Sequence, residues 1–282
     1  MSEPQRICLV TGASSGIGVE TARGMAARGF HVVLAGRNPE RTAAAAADVR
    51  AATGNDRVEH LLADFSSLDQ VRALAAAFNA RHDRLHVLIH NAGLWHPRRQ
   101  LSADGIEDTF AVNHLAPFLL TELLLDPLAN AAPARVVVVS SRYHLKPRSL
   151  DLEDIQTVSG AYQGLAVYKQ SKLCNVLYAN ELARRVADRG ITVNSLHPGD
   201  VATGIVRDNA VLNGLIKIAQ HWLLKTPTQG ARTSLHVATS PDLQGVTGRY
   251  FAECKQAKQS PLASDADLAG RLWDLSERLT DL

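Results

Sequence analysis

The chain alternates short, almost continuously apolar runs with longer stretches in which apolar residues recur every three or four positions. Short apolar runs read as strands buried on both faces of a parallel sheet, and the longer stretches as helices covering those faces. The strand candidates are "ICLVT" from Ile7, "HVVLAG" from His31, "VEHLL" from Val58, "LHVLIH" from Leu85, "RVVVVS" from Arg135, "TVNSLH" from Thr192 and "GRYF" from Gly248. Helix starts carry their own chemistry: Asn38 before Pro39 is an N-cap with proline at the first helical position, and Thr226 before Pro227 repeats it. Ser67 with Gln70 reads as a capping box. These signals place helices at about 16–28, 39–53, 68–81, 104–125, 161–189, 228–239 and 264–280. Seven strands in alternation with helices predict an α/β fold, a single doubly wound parallel sheet, with residues 1–282 as one domain.

One stretch departs from the alternation. Residues Ala202 to Lys225, "ATGIVRDNAVLNGLIKIAQHWLLK", follow the sixth strand and begin just past Pro198 and Gly199. An insertion on the side where such sheets bind ligands predicts a lid over a substrate; an extra packing helix is the plainer alternative.

Composition narrows the partners. With 46% hydrophobic and 21% charged residues, the composition is that of an ordinary soluble globule and argues against disorder or a membrane protein as the leading class. A formal net charge of +2 without a Lys/Arg block argues against nucleic acid and for small molecules. Cys8, Cys174 and Cys254 are far apart with no C-x-x-C pair, which suits a reducing compartment and supplies neither disulfides nor a zinc site. The eleven histidines form no H-E-x-x-H motif, so no metal is expected. "MSEPQRI" leaves no room for a secretion leader. Thr121, Glu122, Asp126 and Pro127 interrupt "LAPFLLTELLLDPLA", well short of the roughly 20 apolar residues a membrane span needs. The expectation is a cytoplasmic protein without a membrane span.

The chemistry begins at "TGASSGIG", Thr11 to Gly18, between the first strand and the first helix. Gly12, Gly16 and Gly18 let the backbone approach a pyrophosphate, while the helix amides and dipole face the anion. At the end of the second strand, "AGRN", a carboxylate would hold an adenosine ribose and repel a 2′-phosphate. Gly36 occupies that place and Arg37 follows, which favours NADP(H); Arg37 as a solvated surface residue is the alternative. Ser14 would add a hydroxyl to the phosphate, and Asp64 a hydrogen bond to the adenine amino group, with a plain helix-start residue as the alternative for Asp64.

Further along, "VYKQSKL" puts Tyr168 and Lys172 on one face of a helix, a pairing that suits a phenol asked to exchange a proton near neutral pH. "RVVVVSSRYH" places Ser140 and Ser141 at the C-terminal end of a central strand, and "FAVNHLAPF" places Asn113 within a helix. Ser140, one step along the strand, should face away.

Taken together these motifs resemble the short-chain dehydrogenase/reductase family over nearly the whole chain. "TGASSGIG", "HNAG" (His90 to Gly93), "VNH", "VVSS", "YKQSK" and "HPGDVAT" (His197 to Thr203) occur in that family's order. The Ser141 to Tyr168 spacing, "YFAECK" and the ending "LAGRLWDLSERL" look most like its retinol dehydrogenase branch. The resemblance implies a Rossmann fold in which a hydride passes between nicotinamide and a carbonyl carbon. Tyr168 would supply the proton and Ser141 would hydrogen-bond the same oxygen. Lys172 would bind the nicotinamide ribose and lower the tyrosine pKa, and Asn113 would hold a water leading to solvent. Ser15, Ile17, Asn38, Phe65, Asn91, Ala92, Gly93 and Val201 join the cofactor residues on this reading. Pro198, Gly199 and Thr203 would line the nicotinamide end. His90 stands where the family usually has Asn and reads as a buried strand-end residue.

Trp95, His96 and His144, with the lid, would border a pocket for a hydrophobic ketone, aldehyde or alcohol. The long helices around Asn113 and Tyr168 form homo-oligomer contacts in similar proteins. Two rival readings keep the nucleotide site. "YKQSKLCN" also resembles protochlorophyllide reductases, which reduce a carbon–carbon double bond, and a non-catalytic NADP(H)-binding regulator would need the site without its turnover.

Overall fold

The structure, a computed structural model, describes residues 5–199 and 225–282; the proposed lid falls outside the described residues except for Lys225, as do Val201 and Thr203. Eight strands form one sheet in the order β3-β2-β1-β4-β5-β6-β7-β8. They are β1 Ile7–Thr11, β2 His31–Gly36, β3 Val58–Leu62, β4 Val87–His90, β5 Ala134–Val139, β6 Ile191–His197, β7 Arg249–Ala252 and β8 Lys255–Gln256. The first seven pair in parallel and include every strand expected from the sequence. The eighth is an addition, antiparallel and two residues long, turned back by Glu253 and Cys254 at φ 50° and 61°. Neither residue is the Gly or Asn that announces such a turn, so the hairpin has no sequence signal.

Alternation along each strand feeds two separate cores. On β1, Ile7 and Leu9 face one side of the sheet, and Cys8 and Val10 the other. Helices α1 Gly16–Ala26 and α2 Pro39–Thr53 cover the second side, joined there by Pro227–Thr239, here α8. The first side takes α3 Leu68–Asn79, α5 Ala116–Leu123, α7 Gly164–Arg185 and the C-terminal helix α9 Ala266–Thr280. This is a doubly wound Rossmann sheet. No helix among the described residues is long and apolar enough to cross a membrane.

Three local expectations need correction. The helix expected from 104 starts at Asp108, because the Leu101–Glu107 bridge and Gly105 at φ 75° hold the preceding residues in a turn. It then runs as α4 Asp108–Phe110, a π-turn Ala111–Leu115, α5, and a separate α6 Leu125–Asn130. The α7 helix begins at Gly164, where a Cβ would strike the His96 carbonyl. At α3 the capping box is half formed: Ser67 accepts from the Gln70 amide, but the Gln70 side chain accepts from the Asp64 amide instead. Thr226 makes the complete box with Gln229.

Helix α9 lies across α5 and α7 through one aromatic cluster. The Trp273 ring, 4% exposed, meets Phe118 edge-on at 4.8 Å and stacks on Tyr178 at 6.1 Å. Trp273→Ala should therefore destabilise the fold by about 3–5 kcal/mol, read as a lower midpoint in urea or guanidinium unfolding.

Candidate active site

The sheet order reverses direction between β1 and β4, and at such a switch point the loops leaving the two strands part and open a crevice. A cavity of about 620 Å³ occupies it. The glycine turn after β1 forms one wall, with Gly12, Ser14, Ser15, Gly16, Ile17 and Gly18 all lining it. Gly12 and Gly16 take φ of 64° and 57°, a region in which side chains are disfavoured. A Cβ on Gly12 would come within 2.8 Å of the Ala92 backbone, and one on Gly18 would strike the Gly12 carbonyl. Ser15, the N-cap of α1, makes no side-chain cap bond, so the first-turn amides are left to whatever fills the crevice.

The opposing loop, Asn91 to Gly93, is stitched to this turn. Thr11 Oγ1 accepts from the amides of Asn91 and Ala92, each at 3.0 Å. Asn91 Nδ2 donates to the carbonyls of Thr11 and Gly12 at 2.9 and 3.2 Å. Beyond this loop the π-turn brings Asn113 inward, fully buried. Its Oδ1 accepts from the Leu94 amide at 2.8 Å, and its Nδ2 donates to the Leu94 carbonyl and to Ser171 Oγ, both at 2.9 Å. Ser171 Oγ in turn donates to the Tyr168 carbonyl at 2.9 Å.

Helix α7 is tied to the end of β5 from both sides. Ser140 Oγ donates to the Lys172 carbonyl at 2.7 Å, and Lys172 Nζ donates to the Val139 carbonyl at 3.2 Å. Ser140 thus has its hydroxyl committed to the helix, although it too borders the cavity, against the expectation that it faces away; Ser141, Tyr168 and Lys172 line the cavity together with Pro198 and Gly199. The Lys172 ammonium lies 5.7 Å from the Tyr168 ring centroid.

Residues 6–151 match the short chain dehydrogenase family. The chain is 43% identical over 281 residues to the WW domain-containing oxidoreductase of Danio rerio, covering 97% of this chain and 68% of that protein. It is 41% identical over 273 residues to human retinol dehydrogenase 11, covering 97% of this chain and 85% of that one. The chain belongs to the short-chain dehydrogenase family, in its retinol dehydrogenase-like branch. Family members are oxidoreductases that bind a nicotinamide cofactor and act on small molecules. A solved structure from Mycobacterium paratuberculosis superposes on this dehydrogenase with a TM-score of 0.78 at 33% identity, over 98% of this chain and 94% of that one. The Pseudomonas aeruginosa RhlG/NADP complex superposes at 0.71 with 25% identity, over 89% and 95%.

Burial dominates the electrostatics of the dehydrogenase's site. Desolvation pushes the Tyr168 phenol up to about 12, against an opposing hydrogen bond with the Ser141 hydroxyl. The same effect brings the Lys172 ammonium down from 10.5 to about 8. The net direction for the phenol is upward, because burial outweighs the Ser141 hydrogen bond.

Several sequence candidates have other employment. Asn38 does not line the cavity; its Oδ1 caps α2 by accepting from the Arg41 amide at 2.8 Å. His144 and His96 are buried away from the cavity, His96 paired with Asp108 at 2.7 Å. His90 is buried and donates through Nε2 to Thr121 Oγ1 at 2.7 Å, and desolvation drops its pKa to about 3. Asp64 and Phe65 line the cavity, the Asp64 carboxylate 3.8 Å from the Arg37 guanidinium. Arg41 lines it too and escaped the sequence reading, although it follows Arg37 at helical spacing. Far from the cavity, at the opposite ends of the strands, His31 and His82 share one Glu59 oxygen at 2.9 and 2.6 Å, with Arg81 on the other. That trio is the one His/Cys/Asp/Glu group of metal-holding spacing among the described residues, and Arg81 already occupies its carboxylate.

Lys172 has a folded pKa below its unfolded one, so its charge opposes folding fully below about pH 8 and ceases to as pH rises towards 10.5. Lys172→Met should raise unfolding stability by about 2 kcal/mol at pH 6, allowing for its lost hydrogen bond, with the gain shrinking above pH 8. Denaturant titrations of both proteins at pH 6 and pH 10 check this; a constant difference would refute it.

Proposed function

We propose that this dehydrogenase transfers a hydride between NADP(H) and a carbonyl or alcohol carbon of a hydrophobic small molecule. The observation that carries the reading is the shape of one cavity: two guanidiniums, Arg37 and Arg41, border it where β2 ends, and Tyr168, Ser141 and Lys172 border it three strands away at β5. A cofactor long enough to span three strand spacings, about 15 Å, fits this arrangement.

The preference for a 2′-phosphate rests on charge and on space. Asp64 balances one of the two guanidiniums, leaving net positive charge for an anion. A carboxylate-bearing residue at Gly36 has no room, since its Cβ would lie 2.6 Å from Thr42 Oγ1 and 3.2 Å from Ser14 Cβ. The RhlG structure described as an NADP complex supports this choice, and the retinol dehydrogenase names of close relatives support an apolar alcohol or its carbonyl.

Bound nicotinamide supplies or takes up the hydride. The protein's part is proton management and charge stabilisation. Tyr168, protonated because it is buried, gives its proton to the substrate oxygen during reduction. Ser141 donates a hydrogen bond to that oxygen as charge develops on it. Lys172 Nζ, fixed by the Val139 carbonyl, stabilises the phenolate left behind and orients the cofactor ribose. Asn113 holds the Leu94 backbone in place, which shapes the wall beside both groups. Gly93 must stay small, because a Cβ there would sit 3.2 Å from both Asn113 Oδ1 and Lys172 Nζ.

The test is cofactor oxidation at 340 nm with a panel of hydrophobic aldehydes and ketones. NADPH should exceed NADH in kcat/KM by about tenfold or more, and Arg37→Ala with Arg41→Ala should erase that margin by weakening NADPH alone. Tyr168→Phe should lower kcat by about 10²–10⁴. Preference for NADH would reject the cofactor assignment, and binding without turnover on any compound would move the protein to a regulatory role.

A further inference from the structure

The turn that carries Ser141 is fastened from behind by a histidine. His144, fully buried, lies three residues on in the 3-10 turn Arg142–Leu145. Its Nδ1 is 2.7 Å from the Ser141 carbonyl oxygen, which only accepts, so Nδ1 carries a proton and donates. Its Nε2 is 3.2 Å from the Ser260 amide, which only donates, so Nε2 is bare and accepts. Two backbone groups with fixed roles thus admit one form of the ring: neutral, protonated at Nδ1. Desolvation lowers the imidazole pKa and supports the same form. Tyr250 packs on the ring at 4.3 Å, and His197 stacks on Tyr250 at 6.1 Å.

The Ser141 carbonyl also accepts the His144 amide at 3.1 Å, so one residue holds that peptide plane with two donors. With the backbone of Ser141 fixed at φ −152° and ψ 155°, its Cα–Cβ direction is set and one rotamer choice remains for the hydroxyl. The Tyr143 amide reaches Ser141 Oγ at 3.3 Å, a long bond that cannot by itself aim the side chain. Ser260, at the other end of the clamp, is buried and opens the segment leading into α9.

We infer that His144 is a positioning residue for the Ser141 hydroxyl: as its Nδ1–H tautomer it clamps the Ser141 carbonyl and ties that turn to the C-terminal segment at Ser260. The inference rests on the proposed reaction, in which Ser141 hydrogen-bonds the substrate oxygen. His144 touches neither the cavity nor a reacting atom, so it acts through Ser141 alone.

His144→Leu removes both bonds and should lower kcat about 10- to 100-fold with little change in the KM for NADPH, since a misplaced hydroxyl affects the reacting oxygen and not the nucleotide. His144→Asn, whose amide nitrogen can stand in for Nδ1, should recover about tenfold of that loss. Ser260→Pro deletes the amide proton along with the serine hydroxyl, at a φ of −57° that proline accepts, and should give a smaller fall in kcat than Ser260→Ala plus His144→Leu. Ser260→Ala is the control that loses the hydroxyl and keeps the amide. The proline variant keeps the test alive if His144→Leu fails to fold. Equal losses for Asn and Leu, or reduced thermal stability with kcat intact in those two and in Ser260→Pro, would overturn the clamp. Ring-nitrogen NMR of the NADPH-loaded wild type reads the tautomer independently of turnover: Nδ1–H is expected, and Nε2–H or imidazolium at neutral pH refutes it. A wild type that keeps the Nδ1–H signal but reduces no carbonyl sinks the proposed reaction and not the clamp.

Discussion

Thr11 stands where the winding of the sheet reverses, and its hydroxyl receives the amides of Asn91 and Ala92 at the same distance. Every later contact of the site hangs from that junction. The Asn91–Gly93 loop, once held against the glycine turn, presents Leu94 to Asn113; Asn113 passes the link to Ser171, and Ser171 to the backbone of Tyr168. The series runs through buried groups, where a single hydrogen bond nets about 1 kcal/mol but an orphaned partner costs about 1–3. Such a run behaves as a unit, which is why small residues at Gly12 and Gly93 matter as much as the polar ones they make room for.

The parts of this architecture legible in the sequence are those where one physical cause outweighs all others. Central parallel strands have no polar face, so "ICLVT" and "RVVVVS" are unmistakable. A turn that must meet another backbone at Gly12 admits no side chain, so its glycines stand out. Tyr168 and Lys172 are readable because four residues along a helix is a fixed geometry. The unread features involve competition between partners. The Asn38 cap is legible from the Pro39 that follows it, but Gln70 has two acceptable partners, and the fold chooses the Asp64 amide over the helix cap. The direction of the Tyr168 shift depends on how deeply the phenol is buried, and no local spacing reports that. His144 and His96 sit next to site motifs in the chain, yet their rings turn away from the cavity into backbone and carboxylate partners that lie far off in sequence or across a turn.

The two ends of the chain are more interdependent than a sheet with local crossovers suggests. Helix α9 buries Trp273 against α5 and α7, the helices that continue from Asn113 and Tyr168. The short β7–β8 hairpin and the Ser260 turn reach back behind Ser141. The N-terminal half supplies the glycine turn of the crevice, and the C-terminal segment braces the turn and the helix that carry Ser141 and Tyr168.

The π-turn at Ala111–Leu115 closes with the Ala116 amide on the Ala111 carbonyl, one residue wider than an α-turn. Since each α-helical residue advances about 100°, one surplus residue rotates everything after it by that angle relative to everything before. One helix therefore has two indexing systems, with Asn113 set by the loop it grips and Phe118 set by the aromatic floor beneath α9. A deletion that restored regular helix here would relieve a local irregularity and put those two faces out of phase, so the irregularity is the gear that lets polar site and apolar core be shaped on different schedules.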